Sequence, residues 1–494
     1  MYPKESLAVV WLKRDLRLQD NEAIYNAIQT GKRVLLLFVF EDFLLKDPHY
    51  DTRHWNFIKE SIADLNQRLL PYNSKVLAVN SEVSATINQL QQYYNIRDLF
   101  SHQETGLMCT YHRDLKIARY CHNNLINWKE NIWNGILRGI QNRKGWQKNW
   151  KNYMETPLLP FHPKNQLLTL HEINELEKQF SIADLSTPKQ CSIQKGGITE
   201  ALDYQNSFFE ERYINYTRGI SKPKEAVDSC SRLSPYLAWG NLSTRQVWQA
   251  AKTIRPLSKN KKDLDAFTAR LKWQAHFIQK FEMEHTMEDS SINKGYSMLK
   301  KAISKKYQIA WETGQTGVPM IDACMRCLNE TGYLNFRMRA MIVSFFTHLL
   351  WQPWQNCAVY LSKMFIDFEP GIHFAQVQMQ AGETGINTLR IYNPIKNGYE
   401  HDTNADFIRK WVPELASLQT KHIHEPYLMT PLEQGMYNVK LGIDYPEPII
   451  DLKANRKKAS KILWEMKNDP LVMEENNRIL KKHTLKHATL IRAV

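Results

Sequence analysis

GQTGVPMIDACMRCLNETGYLNFRMRAMIVSFFTHLLWQPW at residues 314–354 and DFEPGIHFAQVQMQAGETGINTLRIYNPIKN at residues 367–397 carry an unusual number of polar side chains among apolar ones. A polar group buried among apolar side chains costs free energy unless a partner satisfies it. The two segments therefore predict the lining of a site for a large polar ligand. Helix caps and surface ion pairs are the alternative interpretation. The residues concerned are Arg337, Arg339, Asp367, Glu369, His373, Gln376, Gln378 and Asn387.

Length and composition bound the class of protein. The chain has 494 residues, enough for two or three domains. Its formal net charge of +14 favours a polyanionic partner, with nucleic acid the first choice, although many soluble proteins are basic without one. The seven cysteines are scattered and odd in number, which argues against a disulfide framework and favours a reducing compartment.

Several kinds of motif are missing from the sequence. It has no apolar leader and no apolar run long enough to span a bilayer, so it predicts a soluble, cytoplasmic protein with no membrane partner. Neither a P-loop nor a glycine-rich dinucleotide fingerprint is present. Cys324 and Cys327 form a CxxC within a helix-like run, where helix packing is a better explanation than a metal site.

The first 135 residues alternate strand-like and helix-like segments. Apolar runs at 7–12, 33–40 and 75–79 suit strands buried on both faces of a parallel sheet. Residues 21–29 and 53–70 show helical spacing between them. This alternation predicts an α/β domain with a doubly wound parallel sheet over residues 1–135. Weaker strand candidates lie at 98–101 and 127–133.

The remainder predicts a linker, an all-α domain and a basic extension. Residues 136–200 are rich in Lys, Asn and Pro with poor periodicity, as in a long surface connection. Residues 201–452 read as helices. Residues 453–494 hold 11 Lys and Arg against 4 Asp and Glu and are expected to be solvated, with contact to DNA or a partner as alternatives. Predicted helices lie at 208–215, 244–254, 264–284, 307–312, 319–329, 336–351, 356–365, 404–411, 457–467 and 471–482.

Two short segments suggest chemistry. In CSRLSPYLAWG at 230–240, Ser231 and Ser234 flank Arg232 before a proline that can open a helix, which suits a phosphate cradle. A simple serine N-cap explains that segment equally well. In WLKRDLR at 11–17, Asp15 follows a strand at the edge where α/β sheets bind ligands. Taken alone, the second segment is more typical of a charged, solvated loop.

These segments in combination resemble the DNA photolyase/cryptochrome superfamily. The resemblance rests on WLKRDLRLQDN at 11–21, CSRLSPYLAWGNLSTRQ at 230–246, GQTGVPMIDACMRCLNETGYLNFRMR at 314–339, RIYNP at 390–394 and FIRKWVPEL at 407–415. It implies an α/β antenna domain, a linker and a helical domain that encloses FAD. It also implies light-driven electron transfer from reduced flavin, which splits cyclobutane pyrimidine dimers in DNA.

The resemblance leaves the antenna pigment open. A folate, a flavin, a deazaflavin or no pigment would be compatible with the family, and Glu104 and Arg113 lie near the corresponding region. The family expectation for the oligomeric state is a monomer.

Cofactor roles carry over by position. Arg339 pairs with Asp367 beside the flavin ring, and a carboxylate buried there needs such a partner. Glu369 replaces a second aspartate. His373 stands where the family side chain faces flavin N5, so it is expected to donate to N5 or to titrate near neutral pH. The other implied FAD contacts are Tyr216, Cys230, Ser231, Arg232, Leu233, Ser234 and Phe368, with Cys230 in place of the usual threonine.

Substrate roles carry over with more departures. Trp273 matches the tryptophan that stacks on the flipped dimer. Arg270 stands where repair enzymes usually carry a glutamate, Phe336 where they carry an asparagine, and Met379 where they carry a second stacking tryptophan. The resemblance also implies that Arg337 contacts a DNA phosphate.

The electron relay of the family is incomplete. Of its three tryptophans only Trp354 has a match, while Val377 and Lys301 occupy the other two positions. Trp351, Trp354 and Tyr360 form an alternative relay, and core aromatics are an equally good interpretation of those three.

The leading hypothesis is therefore an FAD-dependent deoxyribodipyrimidine photolyase. The alternative is a cryptochrome-like blue-light receptor that binds FAD and repairs little, as Arg270 and Met379 would favour. A basic nucleic-acid-binding module without photochemistry is a third reading, against which the FAD-contact positions argue.

Overall fold

A five-stranded parallel sheet forms the N-terminal part of the chain. The computed structural model describes residues 4–188 and 192–484. The strands run in the order β3-β2-β1-β4-β5, and each pairs in parallel with its neighbours. The predicted doubly wound α/β fold is confirmed, including the two weaker strands. The strands are β1 Ser6–Leu12, β2 Arg33–Phe40, β3 Leu77–Asn80, β4 Asn95–His102 and β5 Asn127–Asn131.

The central strand β1 separates two apolar cores. Leu7, Val9 and Trp11 face a smaller core on one side of the sheet. Val10 and Leu12 face the other way, into a larger core that continues through the helical part of the chain. The sheet is therefore anchored on the helical part by one of its faces. The helices of this region are α1 Glu22–Gln29, α2 Asp42–Leu45, α3 Thr52–Leu69, α4 Val83–Leu90 and α5 Met108–Asn123.

The predicted linker contains two helices that its poor periodicity does not reveal. Residues 136–200 include α6 Trp146–Glu155 and α7 Leu170–Glu177. Trp146, Trp150 and Met154 recur every four residues and are buried. The surrounding Lys and Asn residues hide this helical period in the sequence. Between α6 and α7 the chain runs beside β2, where the Leu168 N–H donates to Val34 O at 3.0 Å.

The chain beyond residue 197 is helical, as predicted. The expected single helix at 336–351 ends at Ser344 and continues as a π-helical turn, Phe345–Leu349. Helix Pro370–Gln380 escaped prediction because it is buried on most of its faces and shows no one-sided apolar stripe. None of the helices in the described ranges is both long and apolar enough to span a bilayer.

The bounds of these helices are as follows. They are α8 Ile198–Glu210, α9 Tyr216–Gly219, α10 Ala226–Ser229, α11 Ser234–Ala238, α12 Thr244–Ile254, α13 Lys261–Met283, α14 Lys305–Glu312, α15 Pro319–Thr331, α16 Phe336–Ser344, α17 Trp354–Met364, α18 Pro370–Gln380, α19 Pro394–His401, α20 Asp406–Trp411, α21 Thr420–Ile423, α22 Pro431–Tyr437, α23 Leu452–Lys467 and α24 Pro470–His483.

The basic C-terminal segment packs against the helical region, so the expectation of a solvated extension is wrong for its described part. Leu463 of α23 and Val472 of α24 are fully buried. Gly295 lies so close to α24 that a Cβ there would come within 2.5 Å of a Val472 methyl carbon. Arg478 pairs with Glu284 at 2.8 Å. The predicted extension also includes residues 485–494, which lie outside the described residues.

The two halves of the molecule meet backbone to backbone. The loop after β1 lies against the end of α11, where the Leu16 N–H donates to Trp239 O at 3.3 Å. Gly240 has φ +77°, and a Cβ on it would lie 2.0 Å from Arg14 O. Only glycine tolerates both this backbone angle and this approach. The segments 11–17 and 230–240, far apart in sequence, therefore form one junction.

Candidate functional site

A cavity of about 310 Å³ opens in the helical part beside this junction. Apolar side chains form most of its wall, and a few polar groups converge on it, as in binding sites for large organic ligands. It is lined by Tyr216, Ile220, Cys230, Ser231, Arg232, Leu233, Ser234, Arg270, Tyr333, Leu334, Asn335, Phe336, Arg339, Ala340, Val343, Leu361, Phe365, Asp367, Phe368, Glu369, Ile372, His373, Gln376, Val377 and Gln380.

A bidentate ion pair lies on the cavity wall. Both terminal nitrogens of Arg339 donate to the two carboxylate oxygens of Asp367, each at 2.9 Å. Although burial opposes it, Arg339 holds the pKa of Asp367 below its usual value, and a hydrogen bond from Ser234 adds to this. The Arg339 guanidinium also lies 3.9 Å from the Phe365 ring centroid. The predicted pair therefore forms, and Asp367 stays a carboxylate.

Arg232 is held on the same wall in an uncommon backbone conformation. Its φ is +59°, in the left-handed region that few non-glycine residues adopt. Gln194 secures it twice, because its amide donates to Arg232 O at 3.0 Å and its oxygen accepts from Arg232 Nε at 3.1 Å. The guanidinium lies 3.8 Å from the Tyr333 ring centroid. The chain thus fixes a cation at the cavity wall before any ligand arrives.

Tyr216 and Cys230, predicted as FAD contacts, line the cavity together with Arg232. Burial raises the pKa of the Cys230 thiol to about 11, so the side chain remains a neutral, weak donor. Burial also raises the pKa of Tyr216, whose hydroxyl interacts with Arg270. Both groups are therefore uncharged polar contacts near neutral pH.

His373 differs from its prediction in two ways. Its Nε2 lies 2.8 Å from the carbonyl oxygen of Ala358, which can only accept, so Nε2 carries the proton. Burial lowers the pKa of His373 to about 3, so the ring is neutral and Nδ1 is an acceptor. Titration near neutral pH and donation through Nδ1 are both excluded by this arrangement. His373 offers the cavity a lone pair.

Phe368 and Glu369 complete this side of the cavity. Burial raises the pKa of Glu369 to about 7; nearby Arg14 opposes that shift and Glu104 adds to it. The Glu369 carboxyl therefore changes its charge near neutral pH, which His373 does not. Phe368 packs edge-on against the His373 ring at 5.2 Å. Of these two side chains, the one that titrates near neutral pH is Glu369 and not His373.

Two acceptors on the cavity wall have no protein partner in the described part of the chain. The Asn335 amide nitrogen donates to Ile220 O at 2.9 Å, while its oxygen is buried and unpaired. The Gln376 oxygen is also buried and unpaired. A buried acceptor without a donor costs free energy until a ligand or water supplies one. Sequence reasoning missed Asn335, which precedes α16 and reads there as an ordinary helix cap.

Three of the eight polar residues of the two opening segments lie elsewhere. The Gln378 amide nitrogen donates to Met287 O and Ser290 O, so it ties a loop to α18. Asn387 accepts from the Thr384 hydroxyl. Arg337 does not line the cavity. Gln378 and Asn387 thus make structural contacts away from the cavity, although neither is a helix cap or a member of an ion pair.

The predicted substrate residues divide between the cavity opening and its surroundings. Phe336 and Arg270 line the cavity while exposed to solvent, and the Arg270 guanidinium lies 5.7 Å from the Phe336 ring centroid. Trp273, one turn along α13, is 47% exposed. Met379 is half-buried and Arg337 is half-buried, and neither is among the lining residues. Phe336 is therefore an exposed aromatic side chain on the cavity lining, while Trp273 lies outside that lining.

The aromatic relay remains a prediction. Trp354 is buried and donates to Ser291 Oγ at 3.0 Å, and Val377 lines the cavity. Lys301 forms a buried ion pair with Glu383 at 3.0 Å. Among the described residues, Tyr360 has its recorded ring contact with Trp311 at 5.7 Å and not with Trp351 or Trp354.

The loop at 11–17 is buried, so its interpretation as a solvated loop is wrong. Asp15 accepts from Lys13 N at 2.6 Å and lies 2.7 Å from His102 Nδ1. Although burial opposes it, the hydrogen bond with His102 holds the pKa of Asp15 below its usual value. Asp15 is therefore part of the junction between the sheet and the helices and does not line the cavity.

The donor and acceptor set of the cavity fits an amphipathic dinucleotide such as FAD. Leu334, Val343 and Phe365 offer an apolar face for a flat ring system. Arg232 offers a cation for phosphate, while the Asn335 and Gln376 oxygens await N–H or O–H donors. The fit rests on these unmet groups.

Family models match both halves of the chain. Residues 8–133 match the model of DNA photolyase, and residues 267–465 match that of the FAD binding domain of DNA photolyase. The second match includes α13, α16 and α18, which carry much of the cavity wall. The helical part is therefore an FAD-binding domain.

Curated relatives align over almost the whole chain. A deoxyribodipyrimidine photo-lyase from Alkalihalophilus pseudofirmus is 25% identical over 92% of this chain and 97% of its own. A cryptochrome DASH from Gloeobacter violaceus is also 25% identical, over 90% and 93%. Relatives of both names are thus equally similar.

Solved structures share the fold. A cryptochrome from Synechocystis superposes with a TM-score of 0.84 at 22% identity, over 94% of this chain and 100% of that one. A bacterial class III photolyase from Agrobacterium tumefaciens superposes with a TM-score of 0.81 at 22% identity, over 95% and 99%.

Proposed function

The chain belongs to the DNA photolyase/cryptochrome superfamily, and within it we propose that this protein is an FAD-dependent photolyase that repairs UV-induced cyclobutane pyrimidine dimers. The observation that carries the proposal is the geometry of the cavity. A fixed Arg339–Asp367 pair lies inside it, exposed Phe336 forms part of its lining, and exposed Trp273 lies one turn along α13 from the lining residue Arg270. A repair enzyme needs both a cofactor site and a place for a flipped base at its entrance.

The cofactor would be held by groups that the chain has already fixed. Arg232, clamped by Gln194, supplies a cation for phosphate, and the Asn335 oxygen accepts from a hydroxyl or N–H group. Asp367 stays charged because of Arg339. FAD bound there would supply the light-driven electron-transfer chemistry, while the protein contributes position and electrostatics.

The lesion would be held at the opening. Trp273 and Phe336 offer aromatic faces for stacking, which is sequence-tolerant and strong enough to hold an extruded base. Arg270 at the rim and the overall charge of +14 suit the phosphate backbone of DNA. A pyrimidine dimer leaves the stack at lower cost than intact bases, which favours its selection.

A blue-light receptor with little repair activity is the second candidate. Arg270 favours it, because it occupies the position at which dimer-repairing relatives carry a glutamate and interacts with Tyr216. A cation there cannot accept a hydrogen bond from a pyrimidine. Met379 also favours a receptor, because it replaces a second stacking tryptophan and does not line the cavity.

The deciding experiment compares binding and repair in one preparation. The purified protein is expected to carry FAD, visible as flavin absorbance in the blue. Illumination with dimer-containing DNA, single-stranded and duplex in parallel, is expected to remove dimers in the light and not in the dark. Bound flavin without any loss of dimers would favour the receptor. Failure to bind FAD at all would contradict both.

A further inference from the structure

The carboxyl ends of β1, β2 and β4 lie side by side at the middle of the sheet, the place called here the strand-end crevice. In the order β3-β2-β1-β4-β5, β1 lies beside β2 on one side and β4 on the other. The chain reverses its winding direction between β1 and β4, which is where open α/β sheets leave a crevice for a ligand. If the α/β domain bound a second pigment, this place would be its expected site.

Buried ion pairs fill this crevice. Arg113 of α5 contacts Glu41 at 2.9 Å, Glu104 at 2.6 Å and Asp114 at 2.8 Å. Lys13 pairs with Asp114 at 3.1 Å. Each of these five side chains is less than 10% exposed. The polar groups that could receive a ligand are thus already paired with one another.

Arg14 extends this network to the wall of the flavin cavity. Its guanidinium lies 3.7 Å from Glu104 and 3.6 Å from Glu369, a cavity-lining residue. It donates to Phe368 O at 2.9 Å and to the Tyr50 hydroxyl at 3.0 Å. One side chain of the α/β domain therefore bonds two elements of the cavity wall, the Phe368 carbonyl and the Glu369 carboxylate.

We infer that the strand-end crevice holds no second pigment and instead positions the flavin-cavity wall, with Arg14 as the positioning residue. The inference rests on the proposed occupancy of the cavity by FAD. Its physical basis is that a ligand could enter the crevice only by separating buried charges, while Arg14 restrains the segment from which Phe368 and Glu369 contact the cavity.

Glu369 reports on this network because its charge depends on two neighbours of opposite sign. Arg14 lowers its pKa and Glu104 raises it, while the Gly371 N–H lowers it from the start of α18. On the cavity side, Asp367 is paired with Arg339, and His373 stays neutral. Removing Arg14 should therefore raise the pKa of Glu369, and neutralising Glu104 should lower it.

The test compares Arg14→Met, Glu104→Gln and the control Lys116→Met, which removes an exposed ion pair with Glu82. FAD affinity is measured by flavin fluorescence, and the flavin absorbance is titrated with pH in each variant. Arg14→Met should bind FAD about tenfold more weakly, as expected for loss of a charge-assisted hydrogen bond. The titration midpoint should move up in Arg14→Met, down in Glu104→Gln and not at all in Lys116→Met.

Several outcomes would overturn the inference. Unchanged FAD affinity in Arg14→Met is one, and midpoints that move in the same direction in both crevice variants are another. Because Arg14→Met could fold poorly, a second variant is needed. Arg14→Lys keeps the positive charge and loses the guanidinium hydrogen bonds, so it should restore the midpoint of the pH titration in part. Extraction of a second pigment in equal amount to FAD from the wild-type protein would refute the filled crevice. Wild-type protein that binds no FAD would instead refute the proposed function.

Discussion

The strand-end crevice and the helical cavity are adjacent, yet their polar groups are satisfied in opposite ways. In the crevice, Arg113 and Lys13 are paired with carboxylates of the same chain. In the cavity, the Asn335 and Gln376 oxygens are buried without a partner among the described residues. A polar group that the protein leaves unmet is a better sign of a ligand than a cluster of charges.

The largest effect on stability should come from disrupting the ion pairs of the strand-end crevice. Arg113→Met leaves three buried carboxylates without their shared cation, and removing one partner of a buried ion pair costs about 3–5 kcal/mol. The free energy of unfolding, measured with urea, should fall by at least that much. Lys116→Met, on the same helix but in an exposed pair, should change it by less than about 1 kcal/mol. A similar small loss in both variants would contradict the role of the network.

The next effect concerns the cavity and should fall on the ligand. Asp367→Ala removes the partner of Arg339, at a cost of about 3 kcal/mol, the low end for a buried pair because Arg339 is partly exposed. The purified variant should lose its blue flavin absorbance. Asp406→Ala, which removes an exposed pair with Lys224, should keep it. Full FAD occupancy in Asp367→Ala would refute the placement of the flavin beside this pair.

Acid should weaken the contact between α3 and the helical part of the chain. His54 of α3 contacts Phe365 O at 2.9 Å, and burial lowers its pKa from 6.5 to about 4. Because the unfolded chain binds this proton more readily, stability is lost as the pH falls below 6.5, by about 2 kcal/mol at roughly pH 5. His54→Gln should flatten this slope in urea unfolding, while exposed His122→Gln should preserve it. Equal slopes in all three proteins would contradict the prediction.

The smallest effect should appear at the cavity opening. Trp273→Ala removes an aromatic face that is half exposed, so DNA binding should weaken by about 1 kcal/mol, the low end for base stacking. FAD content should stay unchanged. Trp464→Ala on α23, where the side chain is similarly exposed, is the matched control and should leave dimer-containing DNA bound as tightly as before. Equal weakening of DNA binding in both variants would contradict a specific stacking role for Trp273.

Strands β1, β2 and β3 could be predicted from sequence because each is a continuous apolar run. Polar residues interrupt β4 and β5, which made them the weaker candidates. Helix α6 could not be predicted, since Trp146, Trp150 and Met154 are isolated among charged neighbours. In the site, Arg339 and Asp367 were found through the resemblance and through the cost of burying charge. The acceptor role of His373 depends on the carbonyl of Ala358, fifteen residues away, and no local pattern reveals it.

The approach of Gly240 to Arg14 makes the junction sensitive to a single carbon atom. A Cβ at residue 240 would lie 2.0 Å from Arg14 O, so an alanine there could fit only if the loop after β1 moved away from the end of α11. Arg14 lies in that loop and donates to the Phe368 carbonyl of the cavity wall, so the displacement would reach the cavity as well.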